Sequence, residues 1–296
     1  MTDSVTSPPP DPALDRRDPD TVRAGENFPV ALRILPEAIR QHLHALYGYA
    51  RLVDDIGDEP GHAGVVDSPV SRLARLAELA DEVRDMYSGR RPTTPALIRL
   101  APTAAACQLP MEPLLRLITA NERDQSVVRY PSFEDLVAYC HLSANPVGEL
   151  VLHIFDEASP RRVALSDRIC TALQIVEHLQ DVAEDRRRGR IYLPTDDLVR
   201  AGVPEAALDA SYASAGLRNV IQQQAERARA ELDAGAPLVA ELRGWARLAV
   251  SGYVAGGRAT LRALARCDHD PLPGPPRATR ATLVGELLRT LLGRTG

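Results

Sequence analysis

An all-α fold is predicted by three observations. Apolar residues recur at helical spacing from Glu26 almost to the C-terminus, no segment sustains strand alternation, and the helical stretches are separated by Pro- and Gly-bearing breakers. With no βαβ alternation, the chain falls among helix-on-helix architectures. Its 296 residues, 45% of them hydrophobic, can bury a substantial core, and the length fits one large domain.

Residues 1 to about 20 carry Pro8, Pro9, Pro10, Pro12 and Pro19 among Asp and Arg and are expected to form a disordered tail. The all-α domain is expected over 21–268. Its first clear helix starts at Pro36, carries the stripe Ile39, Leu43, Leu46, Tyr47, Ala50 and Val53, and stops at Glu59-Pro60-Gly61. A loop to about Ser68 leads to a second helix, Val70 to about Tyr87, with Leu73, Leu76, Ala77, Ala80, Val83 and Met86 on one face. Further helices are expected near 93–107, 111–127, 132–157, 163–187, 204–208, 216–234 and 238–267. The run Arg190-Ile191-Tyr192-Leu193-Pro194, bounded by Gly189 and Pro194, reads as a loop. Over 269–296, a Pro-rich joint from Pro271 to Pro276 precedes a short last helix around Leu283 to Leu292.

A formal charge of −5 argues against a nucleic-acid binder, which would show a basic face. All 35 basic residues are Arg, a side chain whose planar fork suits phosphate. Cys107, Cys140, Cys170 and Cys267 form no CxxC pair and no metal-like spacing with His, so they read as buried, reduced thiols. No run approaches 18 apolar residues, and the N-terminus does not resemble an export signal. A cytoplasmic protein is expected, with peripheral membrane contact left open.

Two copies of one acidic spelling carry the functional signal: Asp54-Asp55-Ile56-Gly57-Asp58 and Asp181-Val182-Ala183-Glu184-Asp185. In each, two aspartates lie four residues apart and stack on one helix face, where like charges are destabilising unless a cation joins them. Oxygen-only ligands of this kind suit Mg²⁺, whose remaining positions are filled by substrate phosphates and water. Tyr47, Arg51, Asp54 and Asp58 form one stripe at helical steps, and Gln174, His178, Asp181 and Asp185 repeat those steps. Glu177 lies one turn before Asp181. An isolated acidic pair usually decorates a solvated face, but two matched stripes are harder to explain that way.

With these blocks in view, the chain resembles the squalene/phytoene synthase family over about residues 24 to 268. The resemblance rests on Tyr47-x-x-x-Arg51-x-x-Asp54-Asp55-x-x-Asp58, on Tyr139-Cys140 running to Pro146-Val147-Gly148, and on Gln174 through Asp185 followed by Arg190-Ile191-Tyr192-Leu193-Pro194. Glu26-Asn27-Phe28-Pro29-Val30-Ala31 and Ser143-Ala144-Asn145-Pro146-Val147-Gly148 are most similar to the bacterial hydroxysqualene synthase branch of the hopanoid pathway. The resemblance implies an isoprenoid synthase fold, a single helical bundle around a central cavity. It also implies conversion of presqualene diphosphate to hydroxysqualene and diphosphate. One departure stands out: where the family usually has Asn, this chain has Glu177.

The resemblance further implies about two or three Mg²⁺ ions, held by Asp54, Asp58, Asp181 and Asp185 with Glu177 as a fifth ligand. Asp55 is expected to pair with Arg51 instead. Tyr47, Arg51, Tyr139 and Asn145 are the candidate catalytic residues, with Asn27, Phe28, Gln174, Arg190, Tyr192 and Tyr253 as substrate contacts. Arg51, Arg190 and Tyr192 would meet diphosphate, with Arg129 a weaker candidate. Phe28, Tyr47, Tyr139 and Tyr253 would line the isoprenoid cavity, where aromatic faces stabilise a carbocation, and Asn145 and Asn27 would orient the capturing water. Arg186, Arg187 and Arg188 read as a solvated basic patch, and His42, His44, His141, His153 and His178 as structural histidines. No nicotinamide is expected. A presqualene diphosphate synthase would supply the substrate and a hydroxysqualene reductase would consume the product. Two alternatives stand: head-to-head condensation of two prenyl diphosphates, and a non-catalytic acidic helical scaffold.

Overall fold

The computed structural model describes residues 35–58 and 68–293, so the tail and the candidates Asn27 and Phe28 lie outside the described residues. Helix α1 (Glu37–Asp58) begins directly after Pro36. Leu43, Leu46, Tyr49, Val53 and Ile56 turn inward at helical steps. Tyr49 donates a 2.8 Å hydrogen bond to the Leu114 carbonyl. The inward tyrosine is therefore Tyr49, whereas Tyr47, counted with both stripes of the sequence, is 37% exposed and belongs to the polar one.

Ser68 starts α2 (Pro69–Tyr87) with a capping box, exchanging 3.1 Å bonds with Ser71. Leu76, Leu79 and Val83 are buried along its inner face, each worth roughly 1.5–3 kcal/mol of apolar transfer. The next pair, α3 (Pro95–Ala106) and α4 (Met111–Arg123), completes this half of the bundle.

Glu82 of α2 grips the start of α3, accepting from the Thr93 amide at 2.5 Å, the Thr94 amide at 2.8 Å and the Thr94 hydroxyl at 2.5 Å. Partial burial pushes the Glu82 carboxyl up, but the Thr94 and Thr93 hydrogen bonds outweigh it and hold it at about 2. Because the folded value is depressed, the stabilisation is present above the ordinary glutamate range and is lost as pH falls toward 2. Glu82→Gln is accordingly expected to lower stability by about 1 kcal/mol near neutral pH, a figure discounted for solvent exposure. In denaturant titrations the deficit should shrink progressively below the carboxylate range.

Three helices predicted as continuous are divided, the last of them, 238–267, at the extended residues Leu242 and Arg243. The 132–157 stretch becomes α5 (Phe133–Ser143) and α6 (Asn145–Ile154), separated at Ala144. Pro146 supplies no amide to the preceding turn and disfavours helical backbone at the residue before it. The 163–187 stretch becomes α7 (Pro160–Gln180) and α8 (Val182–Arg187), divided at Asp181, whose φ of −101° and ψ of 15° leave the helical well. Then come α9 (Thr195–Arg200), which the sequence reading lacked, a 3₁₀ turn at Glu205–Asp209, α10 (Ala215–Gly235) and α11 (Leu238–Glu241). A long α12 (Gly244–Arg266) and α13 (Arg280–Leu291) close the order. Among the described residues, the only strand-like pairing is one parallel bridge between Arg129 and Ile191.

The core forms two neighbouring clusters. Residues such as Val53, Leu76, Leu100, Leu114 and Leu150 join α1 through α4 and α6, while Ile169, Ile175, Leu217, Ile221, Val254 and Leu261 join α7, α10 and α12. Helix α4 feeds both, with Leu114, Leu117 and Ile118 in the first and Ala120 in the second. Its C-terminal end therefore sits at the seam between the helix carrying the first acidic stripe and those carrying the second.

Candidate active site

At that end of α4, Asn121, Asp124 and Gln125 occupy steps that share one helix face. Asn121 donates to the Asp54 carboxylate at 3.2 Å and to the Leu117 carbonyl at 3.3 Å. Gln125 donates to the Gly57 carbonyl at 3.1 Å. The acidic end of α1 is thereby tied to α4. On the other side, the Tyr139 hydroxyl donates to Asp124 at 2.8 Å. Tyr139 also packs among Tyr130 (5.3 Å between ring centres), Tyr192 (5.9 Å) and His178 (6.4 Å). The His178 ring lies flat on Tyr192 at 3.6 Å, and its Nδ1 is 3.8 Å from Oδ2 of Asp185. A continuous run of contacts, from Asp54 through α4 and the aromatic group to Asp185, thus joins the two acidic stripes.

Burial pushes the Tyr130, Tyr139 and Tyr192 phenols up, and the nearby Asp124 carboxylate adds to it. All three rings stay neutral at physiological pH and offer hydroxyl donors and π faces, not phenolates.

In the second stripe the helix break does not scatter the carboxylates. The Asp181 amide still bonds the Glu177 carbonyl at 3.0 Å, and the Asp185 amide bonds the Asp181 carbonyl at 2.8 Å, so the two aspartates remain one turn apart. Desolvation pushes the Asp181 carboxyl up, with repulsion from Asp185 and Glu184 adding to it. Oδ2 of Asp185 is buried and accepts no hydrogen bond, a situation that costs about 1–3 kcal/mol or more for a charged group. Crowded acidic oxygens, one of them buried without a hydrogen bond, fit a hard divalent cation, which takes oxygen ligands and would relieve both strains. Asp54 and Glu177 are exposed, and the Asp58 side chain lies outside the described residues. Among the described residues no three His, Cys, Asp or Glu groups stand together as a ready-made metal site. Of the expected ligands, the described ones, Asp54, Glu177, Asp181 and Asp185, are not gathered into one such group.

Arg190 is delivered by backbone geometry. Gly189 adopts φ +80°, which favours glycine. Its amide bonds the Arg186 carbonyl at 3.0 Å while the Arg190 amide bonds the Asp185 carbonyl at 2.9 Å, a Schellman ending. This turns the chain back so that Arg190 lines a small pocket with Asp185, His178, Val182, Ile191 and Tyr192. The following residues run extended beside 128–130, with the Ile191 amide on the Val128 carbonyl at 3.0 Å. That pairing stacks Tyr192 on Tyr130 at 5.5 Å.

Arg51 pairs with Asp55 at 2.8 Å, as its spacing predicts. Gln174 lies 3.2 Å from His178. Asn145 is fully buried, its amide nitrogen 2.8 Å from His141 Nδ1 and its oxygen accepting from Thr171 at 3.0 Å. The structure thus uses Asn145 to lock α5, α6 and α7 together, instead of leaving its amide turned to a water. Tyr253 packs against the same core cluster that holds Tyr130, Tyr139 and Tyr192.

Arg129 does not reach the site: it forks onto Glu205 at 2.8 and 2.9 Å and donates to two carbonyls at 2.7 Å. Arg186 pairs with Asp209 and Glu205, so it is a tie between α8 and the 3₁₀ turn and not a merely solvated charge. Of the cysteines only Cys140 is fully buried; burial pushes its thiol up to about 12, which makes it inert. The sequence reading missed Asn121, Asp124, Gln125 and Tyr130. The available signal was a polar trio at one-turn spacing on a helix whose other positions are Leu114, Leu117 and Ile118.

Comparison with known proteins agrees with this geometry. The squalene/phytoene synthase family matches residues 21–283. The hydroxysqualene synthase of Zymomonas mobilis is 32% identical over 91% of this chain and 88% of its own length. That of Rhodopseudomonas palustris is 36% identical over 74% of this chain and 72% of its own. Among solved structures, squalene synthase HpnC from Alicyclobacillus acidocaldarius superposes with a TM-score of 0.76 at 40% identity, covering 85% of this chain and 92% of that one. An all-α bundle carrying both acidic stripes, matched over nearly its whole length, makes this chain an enzyme of the squalene/phytoene synthase family.

Proposed function

We propose that this enzyme ionises presqualene diphosphate and lets water capture the rearranged cation, giving hydroxysqualene and diphosphate. The observation that carries the reading is the buried Asp185 oxygen that accepts no hydrogen bond, in one pocket with Arg190 and the stacked His178–Tyr192 pair. A carboxylate, an arginine and an aromatic wall that line one pocket support a site for a metal-bound diphosphate. The relatives named hydroxysqualene synthase support the choice of reaction within the family.

Asp54, Asp181 and Asp185, with Asp58, would hold Mg²⁺, and Glu177 is near enough in sequence to join them. When bound, Mg²⁺ supplies neutralisation of the departing diphosphate. Asn121 fixes the Asp54 carboxylate, and Asp124 fixes Tyr139. Arg190 donates to the diphosphate, while Arg51 holds Asp55 aside so that Asp54 faces the substrate. The neutral faces of Tyr130, Tyr139 and Tyr192 stabilise positive charge on the hydrocarbon without offering a nucleophile. Substrate and product place the enzyme between a step that makes presqualene diphosphate and one that reduces an allylic alcohol.

The test is product analysis with purified protein and Mg²⁺, nicotinamide omitted, given presqualene diphosphate or farnesyl diphosphate separately. Hydroxysqualene is expected from the first and no turnover from the second. Consumption of farnesyl diphosphate alone would replace this reading with head-to-head condensation.

A further inference from the structure

Helix α13 is built inside out. Its residues facing α12 are polar: Glu286 is 2% exposed and Thr290 7%. Arg262 meets Glu286 at 2.6 Å, Arg258 meets Thr290 at 3.3 Å and Arg266 meets Thr282 at 2.8 Å, so α13 runs antiparallel to α12 along a row of arginines. Its outer arc is apolar, with Val284 55%, Leu288 55% and Leu292 68% exposed. An ordinary surface helix has the opposite arrangement, because apolar groups gain by leaving water. Here the buried Glu286, paired with Arg262, and the bonds from Arg258 and Arg266 hold the helix so that Val284, Leu288 and Leu292 point out, with Leu283, Leu287 and Leu291 half-buried.

The surroundings identify what would cover that face. Between Pro271 and Gly293 the charged residues are Arg277, Arg280, Glu286 and Arg289; the one acid is buried, and the three arginines are exposed. Arg280 lies one turn before Val284 on the outer arc. At the start of α12, Trp245 is 42% exposed, and Arg247, two residues on, bonds the Leu291 carbonyl at the end of α13 at 3.0 Å. An apolar stripe with exposed arginines matches a helix lying in the surface of an anionic bilayer. A second copy fits less well. It would bring the same arginines face to face, and a helix about 18 Å long offers far less than the roughly 800 Å² per partner of a stable interface. No helix among the described residues is long and apolar enough to cross a membrane.

We infer that α13, with the exposed Arg277 and Arg280, docks this enzyme flat on an anionic lipid surface. The inference rests on the C-terminal face alone and stands whichever reaction the enzyme performs. The full chain would be co-sedimented with phosphatidylglycerol vesicles and with phosphatidylcholine vesicles. Strong, salt-sensitive binding is expected only to the first. The combined change Val284→Ser, Leu288→Ser and Leu292→Ser should weaken it about tenfold or more, with the thermal midpoint held because these side chains are already in water. Arg277→Ser with Arg280→Ser, which leaves the apolar arc intact, should reduce both the binding and its salt dependence. Absence of binding to phosphatidylglycerol, or equal binding by the apolar triple variant, would overturn the inference. So would a concentration-dependent dimer that the triple variant dissolves while vesicle binding is unchanged.

Discussion

Asp185→Asn is expected to reduce kcat about a thousandfold, the scale of losing a group that stabilises charge on a leaving oxyanion. The amide keeps the size of the side chain and removes the negative charge, so the pocket around His178, Arg190 and Tyr192 should persist without its attraction for a cation. Differential scanning fluorimetry separates these effects. Mg²⁺ with inorganic diphosphate should raise the thermal midpoint of the wild type through binding to the folded state, and should leave that of Asp185→Asn unmoved. Asp181→Asn sharpens the case because the two readouts part. Burial and the neighbouring Asp185 and Glu184 push the Asp181 carboxyl up, so its ionisation opposes folding above the carboxylate range and that opposition fades as pH falls. The neutral variant should therefore be more stable than the metal-free wild type near neutral pH, with the gap closing in acid, yet should also be inactive. Stability gained where activity is lost is the mark of a site strained for function. A kcat within about tenfold of wild type for Asp185→Asn would remove the aspartates from the chemistry.

The two acidic stripes were legible because helical periodicity is local: Asp54 and Asp58, like Asp181 and Asp185, declare a shared face from spacing alone. Some helix ends were legible from Pro or a Pro-Gly pair, as at Pro36 and Glu59-Pro60-Gly61, whereas the start of α6 at Pro146 and of α9 after Pro194 was not. The break at Asp181 was not, since no breaker residue stands there and the i to i+4 backbone bonds persist on both sides of it. The least legible part was the connection between stripes. Asn121 meets Asp54 across 67 residues and Arg129 meets Glu205 across 76, and no local pattern encodes either partner. Hence Arg129 looked available for diphosphate when it is committed elsewhere, and Asn145 looked like a water ligand when it fastens three helices. The inverted face of α13 shows the same limit. Its apolar stripe is plain in the sequence, but which side the core takes was decided by Arg258, Arg262 and Arg266 of another helix.

Gly57→Ala should be the most damaging small substitution in the first motif. A Cβ there would lie 2.1 Å from Oδ1 and 3.0 Å from Cγ of Asn121, distances that require α1 and α4 to part or Asn121 to swing away. Overpacking of this kind destabilises by about 1–3 kcal/mol. The larger loss should be in turnover, because Asn121 is what holds the Asp54 carboxylate. Asn121→Ala alone removes that hydrogen bond and the clash partner together, so the double variant tells the two effects apart. If Gly57 is needed only to admit Asn121, Gly57→Ala combined with Asn121→Ala should recover most of the stability lost by Gly57→Ala, a coupling a double-mutant cycle measures directly. Activity should stay low, since Asp54 is unrestrained in both Asn121→Ala backgrounds. Recovery of activity along with stability would mean that the glycine serves packing alone and that Asp54 needs no partner on α4.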